Sequence, residues 1–431
     1  MIDLCLFDFD NTLLKTDDLW DIRLKGKDKL RNGKAEAEYA EELRRRIGDL
    51  QRRLIFTEEE LFSLRKRFPS TRFGLFTRAP AAYIWVVDNM AYPSFFWDTA
   101  ICYESIDNGL FKPHGYGIQA AMNELNVKDS YKVVMVGDDA ADIRSAYNAG
   151  CYAVLDKRSW PRMLDQNKHW RAIELIPDGV IDSADDLSDF LANPQYHAPI
   201  LEYHTTDGCL NDERLFDRGM RYEPIMHFFP PEVGQPQKSY EIICAARHFS
   251  AYRSLDARRH WHTLTDEIHR YKTGTEFPDY WCTTVYSFVT RSFPTLAQEW
   301  RDPVTITAIP SREGREPRLQ HFVNQCQTYW VNLSSFRPDA LQANNNLLFY
   351  DKGARSHSGE RLSREERFAN VRDHLHVRHP TEVAGKDIIV IDDVVTTGAS
   401  LMYAKAKLQD AGARSVHLLA LAKNVSDVLR S

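Results

Sequence analysis

A chain of 431 residues, 43% of them hydrophobic, is long enough for more than one domain and can bury substantial cores. Its formal net charge of −6 supplies no broad basic field, so nucleic acid gripped through its phosphates is excluded as the default partner and small molecules are favoured. Seven cysteines (Cys5, Cys102, Cys151, Cys209, Cys244, Cys282 and Cys326) include no C-x-x-C pair, which fits a reducing compartment better than a disulfide framework.

The amino-terminal run MIDLCLFDFD carries acids within its first apolar stretch, and nothing approaches the roughly 18 apolar residues of a membrane span. A cytoplasmic protein without membrane contact is expected. Short apolar runs then alternate with helical patterns, the signature of a parallel α/β sheet. Strands are expected at Asp3–Phe9, Arg72–Thr77, Tyr131–Asp138 and Cys151–Asp156, with a last strand and helix inside Asp178–Pro199. Between the first two lies a charged, proline-free stretch from Lys27 to Phe56, patterned for an exposed helix or helical pair. It reads as an insertion, covering about residues 14–70. The first domain accordingly spans 1–194, and 195–205 form a linker. Residues 206–300 are rich in aromatics and histidine and allow no assignment. From Val304 to Ser311 the alternation returns, and Lys386–Lys423 reads as strand, loop, helix and strand, one βαβ unit in a second domain over 301–431.

Four stretches of the first half carry chemistry. DFDNT places Asp8 and Asp10 at the end of a strand, where both carboxylates can converge on one point beyond the sheet. One can attack phosphorus while the other moves the proton of the leaving group. Thr77 offers a hydroxyl at the same edge, and Lys112 a cation for a transferring phosphoryl group. VGDDAAD supplies Asp138, Asp139 and Asp142, oxygen ligands suited to Mg²⁺. Taken singly, each also reads as turn, cap or loop chemistry. In this order, and at strand ends, they resemble the haloacid dehalogenase superfamily over residues 1–194. That resemblance implies a Rossmann-like parallel sheet with a small helical cap. It makes Asp8 the nucleophile and Asp10 the general acid/base, with Thr77 and Lys112 holding the phosphoryl group. Mg²⁺ is implied at Asp8, Asp10 and Asp138, supported by Asp139 or Asp142. Asp10 points to a phosphatase or phosphotransferase rather than a dehalogenase.

In the second half, IIVIDDVVTTGAS joins a buried apolar strand to two acids and a hydroxyl- and glycine-bearing loop that opens a helix, a local setting for a phosphate. Carboxylates accept hydrogen bonds from vicinal sugar hydroxyls, so Asp392 and Asp393 suit a ribose. Two acids after a strand also occur in P-loop NTPases, but no G-x-x-x-x-G-K-[ST] is present. DDVVTTGAS closely resembles the loop of type I phosphoribosyltransferases that binds phosphoribosyl pyrophosphate (PRPP). By that resemblance, which implies a second α/β domain of that fold, Asp392 and Asp393 hold the ribose hydroxyls and Thr396, Thr397, Gly398 and Ser400 cup the 5-phosphate. AIPSREGRE resembles the pyrophosphate loop, with Ser311, Arg312 and Arg315 as contacts. Tyr350–Val371 resembles the mobile loop that closes over PRPP, with Lys352 and Arg355 as contacts. Arg367 and Asn370 resemble the ComF-like subgroup, whose zinc ribbon is missing here together with the paired cysteines. The hood that selects a nucleobase would come from 206–300. Histidines in HLHVRH (His374, His376, His379) and RHWH (His260, His262) lack a fourth ligand and are expected to be ordinary surface or core residues.

The expectation is a two-domain α/β enzyme of nucleotide or modified-nucleoside metabolism. One domain transfers phosphoribose from PRPP to a base, the other hydrolyses a phosphomonoester through a phospho-aspartate, and Mg²⁺ serves both sites. The alternative is a phosphatase regulated by a second domain that senses PRPP without transferring it. Partners are small phosphoesters and PRPP, and self-association into a homo-oligomer is compatible with either reading.

Overall fold

The computed structural model of the chain describes residues 1–106, 109–161, 169–205, 221–234, 238–271, 274–333, 337–355 and 362–426. They fall into two compact units, Met1–Ala198 with Phe249–His262 and Ser426 in one, and Pro199–His248 with Thr263–Val425 in the other. Cys209 lies outside the described residues; none of the other six cysteines forms a disulfide, and all six are buried. No described helix is long and apolar enough to cross a membrane.

In the first unit the chain order is β1 (Leu4–Phe7), α1 (Trp20–Lys25), β2 (Leu30–Arg31), β3 (Lys34–Ala35), α2 (Ala37–Ile47), α3 (Glu58–Arg67), β4 (Arg72–Phe76) and α4 (Ala81–Ala91). It continues through β5 (Thr99–Ile101), α5 (Tyr116–Glu124), β6 (Val133–Gly137), α6 (Ala140–Ala149), β7 (Tyr152–Asp156), α7 (His169–Glu174), β8 (Gly179–Ile181) and α8 (Ala184–Ala192). Six strands pair in parallel in the order β5-β4-β1-β6-β7-β8. Every residue of β1 and β6 is buried, as apolar strands covered on both faces require. The strand order reverses beside β1, so the carboxyl ends of β1, β4 and β6 open the crevice in which such sheets bind ligands.

The insertion holds a single α-helix over Lys27–Phe56, α2, which turns Tyr39, Ala40, Leu43 and Ile47 inward. Before it, β2 and β3 form a hairpin around Asn32 and Gly33, both at positive φ. Phe249–His262 returns to this unit. Arg258, buried, donates to the Cys151 carbonyl (2.7 Å) and to Asp178 (2.5 Å), and Trp261 donates to the Gly150 carbonyl (2.8 Å).

The second unit contains α9 (Ile200–His204), β9 (Glu223–Phe228), β10 (Ser239–Cys244), β11 (Arg247–Phe249), α10 (Thr263–Arg270), α11 (Asp279–Ser292), β12 (Val304–Ala308) and α12 (Arg318–Asn332). Then follow β13 (Leu341–Ala343), β14 (Leu348–Tyr350), α13 (Arg364–His374), β15 (Leu375–Val377), β16 (Asp387–Val395), α14 (Ala399–Asp410) and β17 (Ser415–Val425). The sheet order is β13-β12-β16-β17-β10-β9, parallel except for the antiparallel β9–β10 pair, with the short β11 off this order. Trp281, Phe322 and Trp330 fill the core between α11, α12 and the sheet. β14 and β15 make a separate antiparallel ribbon.

Candidate active sites

The first crevice is built by strand ends. The Asp8 amide donates to the Val136 carbonyl (2.8 Å), so sheet pairing carries Asp8 just past β1. Asp138 follows β6 in the same way. Gly137 is required here, because a Cβ at that position would lie 2.2 Å from the Asp142 carboxyl carbon. Asp139 caps α6, accepting from the amides of Ala141 (2.6 Å) and Asp142 (3.2 Å), which turns Asp142 back toward the strand ends. The Lys112 ammonium, almost fully buried, reaches Asp8 (2.5 Å) and Asp142 (2.7 Å) and lies over the Phe76 ring. Thr77 is buried at the end of β4, and its hydroxyl oxygen accepts from the Ala79 amide (3.1 Å).

Asp8, Asp138 and Asp142 each bring a carboxylate oxygen within 4.8 Å of the others. Burial raises Asp8 above the usual carboxylate range and pushes Asp142 up to about 8, against the opposing pull of Lys112. Burial works against the charge of Lys112, but Asp142 and Asp8 reverse this and raise it. Three crowded carboxylates with one ammonium among them offer an oxygen set suited to a hard divalent cation. The two remaining acids also line the crevice, each with partners of its own. Asp10 accepts from Thr16 (2.7 Å), Tyr83 (3.1 Å) and Arg23 (2.7 Å), while Asp139 serves its helix and lies 3.8 Å from Arg78. A cavity of about 240 Å³ is lined by all these acids together with Thr77, Lys112, Trp20, Arg23 and Arg78.

In the second unit β16 runs on through Val395, so Asp392 and Asp393 lie within the strand rather than after it. Asp392 accepts from the Asp393 amide (3.0 Å), and Asp393 from the Val394 amide (2.7 Å). Burial, followed by the neighbouring Asp393 charge, holds Asp392 well above the usual range. Arg318, from the start of α12, is ion-paired with Asp393. The turn Thr396–Gly398 precedes α14. Gly398, at φ 77°, is its N-cap, and a Cβ there would press within 3.0 Å of His227 and Ile242. The Lys423 ammonium donates to the Thr396 carbonyl (3.0 Å), and the Tyr350 hydroxyl lies 3.3 Å from Ser400.

A cavity of about 740 Å³ gathers Asp392, Asp393, Thr396, Thr397, Gly398 and Ser400 with Ser311, Arg312 and Arg315. That volume falls within the range of small-molecule sites. Lys352 and Arg355 are not among its lining residues; the Arg355 amide donates to the Asn370 side-chain oxygen (2.9 Å) and the Arg355 carbonyl accepts from the Asn370 side-chain nitrogen (3.1 Å). Residues 356–361 of the expected mobile loop lie outside the described residues. Arg367 does line the cavity. His374 and His376 share the Asp351 carboxylate (2.6 and 3.0 Å), and His262 is buried.

The sequence reading did not include Arg23, Tyr83, Arg318, His227 or Lys423. The His227 ring packs against Gly398 with its Nε2 unpartnered, and burial lowers its basicity well below the ordinary value.

A family model described as haloacid dehalogenase-like hydrolase matches residues 72–150, and one described as phosphoribosyl transferase domain matches residues 344–431. The chain carries both domains. The hydrolase match lies toward the amino terminus and the phosphoribosyltransferase match at the carboxyl terminus. Both sheets have the α/β architecture expected of them. Among solved structures, CbbY from Rhodobacter sphaeroides in complex with phosphate is 18% identical, covering 43% of this chain and 96% of its own, with a TM-score of 0.31. A predicted phosphoglycolate phosphatase from Haemophilus somnus is 16% identical (44% and 97% covered, TM-score 0.32). β-Phosphoglucomutase from Clostridium difficile is 17% identical (45% and 97%, TM-score 0.30). No curated protein matches the chain.

Proposed function

We propose that the protein is bifunctional, transferring phosphoribose from PRPP to a base and hydrolysing a phosphomonoester. The reading of the hydrolase rests on one observation above all: Lys112 bridges Asp8 and Asp142 in a recess that also holds Asp10 and Thr77. An Asp8 oxygen attacks phosphorus and the phosphoester bond breaks, with Asp10 giving its proton to the departing alkoxide. Asp10 then takes a proton from water, whose oxygen attacks the phosphorus of the acyl phosphate, releasing phosphate and restoring Asp8. Lys112 and the Thr77 hydroxyl hold the phosphoryl oxygens. Mg²⁺ would be held by Asp8, Asp138 and Asp142, and when bound would neutralise charge on those oxygens. Asp139 acts through α6, by aiming Asp142.

In the other unit, Asp392 and Asp393 accept the ribose hydroxyls and Thr396–Ser400 receives the 5-phosphate at the start of α14, where free amides favour an anion. Ser311, Arg312 and Arg315 face the pyrophosphate, with its Mg²⁺, and Lys352 and Arg355 join from the loop as it closes. Arg367, on the cavity wall, and Asn370, at the base of that loop, support the ComF-like affinity. Chemical continuity links the halves: one makes a 5′-phosphomonoester and the other cleaves one. Purified protein given Mg²⁺, PRPP and a panel of bases is expected to release pyrophosphate and then phosphate. Pyrophosphate release indifferent to every base would sink the coupled scheme.

The Arg318–Asp393 ion pair favours a second reading, since it places the protein's own arginine on a ribose-binding carboxylate. The domain would then sense PRPP and regulate the phosphatase. Asp393→Asn separates the two readings, abolishing transfer in the first and only PRPP-dependent control of phosphate release in the second.

A further inference from the structure

We propose that Trp20 is the stacking platform for an aromatic ring carried by the phosphatase substrate, so that the substrate is a phosphomonoester of a base-bearing sugar rather than of an aliphatic alcohol. This deepens the phosphatase reading above and rests on it. α1 is pinned to the site by three contacts. Ile22 is fully buried, its carbonyl accepts from the Tyr39 hydroxyl (3.2 Å), and Arg23 is ion-paired with Asp10 (2.7 Å). Three residues before Arg23, on the same helix face, Trp20 lines the rim of the crevice with 61% of its surface exposed. Among the described residues no aromatic ring or cation packs against its indole.

The recess explains what such a ring can serve. At about 240 Å³ it admits a phosphoryl group and its immediate ester, and it is smaller than the roughly 300–1,000 Å³ of sites that enclose a drug-sized ligand. The remainder of any larger substrate must lie at the rim. Its other lining residues are acids, cations, two threonines and an asparagine, which leaves Trp20 as the broad apolar face offered there. Stacking of a base on an aromatic side chain changes binding by roughly tenfold or more.

The test uses the full chain with Mg²⁺ and two probes, adenosine 5′-monophosphate and glycerol 3-phosphate. Trp20→Ala is expected to lower the ratio of kcat/KM for the nucleotide over the aliphatic ester about tenfold, with the loss carried by KM, and Trp20→Phe to recover most of it. In the Asp8→Asn background, calorimetry is expected to show Trp20→Ala weakening adenosine 5′-monophosphate more than inorganic phosphate. An unchanged ratio, or equal weakening of both ligands, overturns the stacking role. Phosphate release that survives Asp8→Asn alone overturns the underlying reading of the site instead.

Discussion

Gly137 and Gly398 show how single residues without a side chain shape the two sites. At Gly137 the missing Cβ is the space into which Asp142 folds, so Gly137→Ala must push that carboxyl away from Lys112 and Asp8. A displacement near 1 Å of a positioned group costs roughly 10²-fold in rate. Gly137→Ala is therefore expected to cut phosphate release by about that factor while leaving PRPP binding by the full chain unchanged, checked by phosphate assay and calorimetry. DFDNT and DDVVTTGAS were legible in the sequence because the groups they bring together are neighbours along the chain and fall at strand ends. Arg23, Tyr83, Arg318 and Lys423 were not, because their partners Asp10, Asp393 and Thr396 lie from 13 to 75 residues away and meet them only through packing. The Asp10 carboxylate illustrates the limit: its spacing from Asp8 predicts convergence on the crevice, yet its three donors come from beyond the motif.

At the scale of elements, β16 carries opposite duties at its two ends. Its top presents Asp392 and Asp393 to the cavity. Its first residue, Asp387, is buried beneath Arg301 (2.6 Å), Arg414 (2.6 and 3.1 Å) and Ser415 (2.7 Å). Burial alone would raise Asp387, but the hydrogen bonds of Arg414 and Ser415 and the charges of Arg414 and Arg301 reverse this and lower it. A carboxylate lowered in the folded state adds stability that is present above its unfolded value of about 3.9 and lost as the pH falls through the folded value. Asp387→Asn is thus expected to destabilise the second unit by about 2 kcal/mol at pH 7, the deficit shrinking below pH ~4 in denaturant melts. A deficit that persists at low pH would show that the ion pairs are not its source. β1, β4, β6, β7, β8, β12, β16 and β17 were readable from their apolar runs, whereas β5, β9 and β10 were not. The β2–β3 hairpin around Asn32 and Gly33 falls within the stretch expected to be helical, where a two-residue turn interrupts an otherwise charged, proline-free pattern.

On the scale of the whole molecule, the chain leaves the first unit after Ala198 and re-enters it at Phe249. A cut near residue 198 would remove Phe249–His262 from it, and with that segment the guanidinium that neutralises Asp178 and stands 3.9 Å over the Trp261 ring. Removing one partner of a buried ion pair costs about 3–5 kcal/mol. Arg258→Ala is expected to lower the melting temperature of the first unit, and residues 1–198 alone to melt lower still; equal melting of all three would mean that the returning segment contributes nothing. No local pattern announces this return, because Arg258 finds Asp178 across 80 residues and meets it only through packing.

We propose that the two sites act in succession on one ribose 5-phosphate, the second unit joining it to a base and the first removing its phosphate. The most direct test of this succession follows pyrophosphate and phosphate together, with Mg²⁺, PRPP and an accepted base, in the unmodified protein, Asp8→Asn and Asp393→Asn. Asp8→Asn is expected to keep base-dependent pyrophosphate release, stop phosphate release and accumulate the 5′-nucleotide, whereas Asp393→Asn is expected to lose pyrophosphate release but still hydrolyse an added nucleotide. Pyrophosphate release that survives Asp393→Asn, or phosphate release that survives Asp8→Asn, would contradict it.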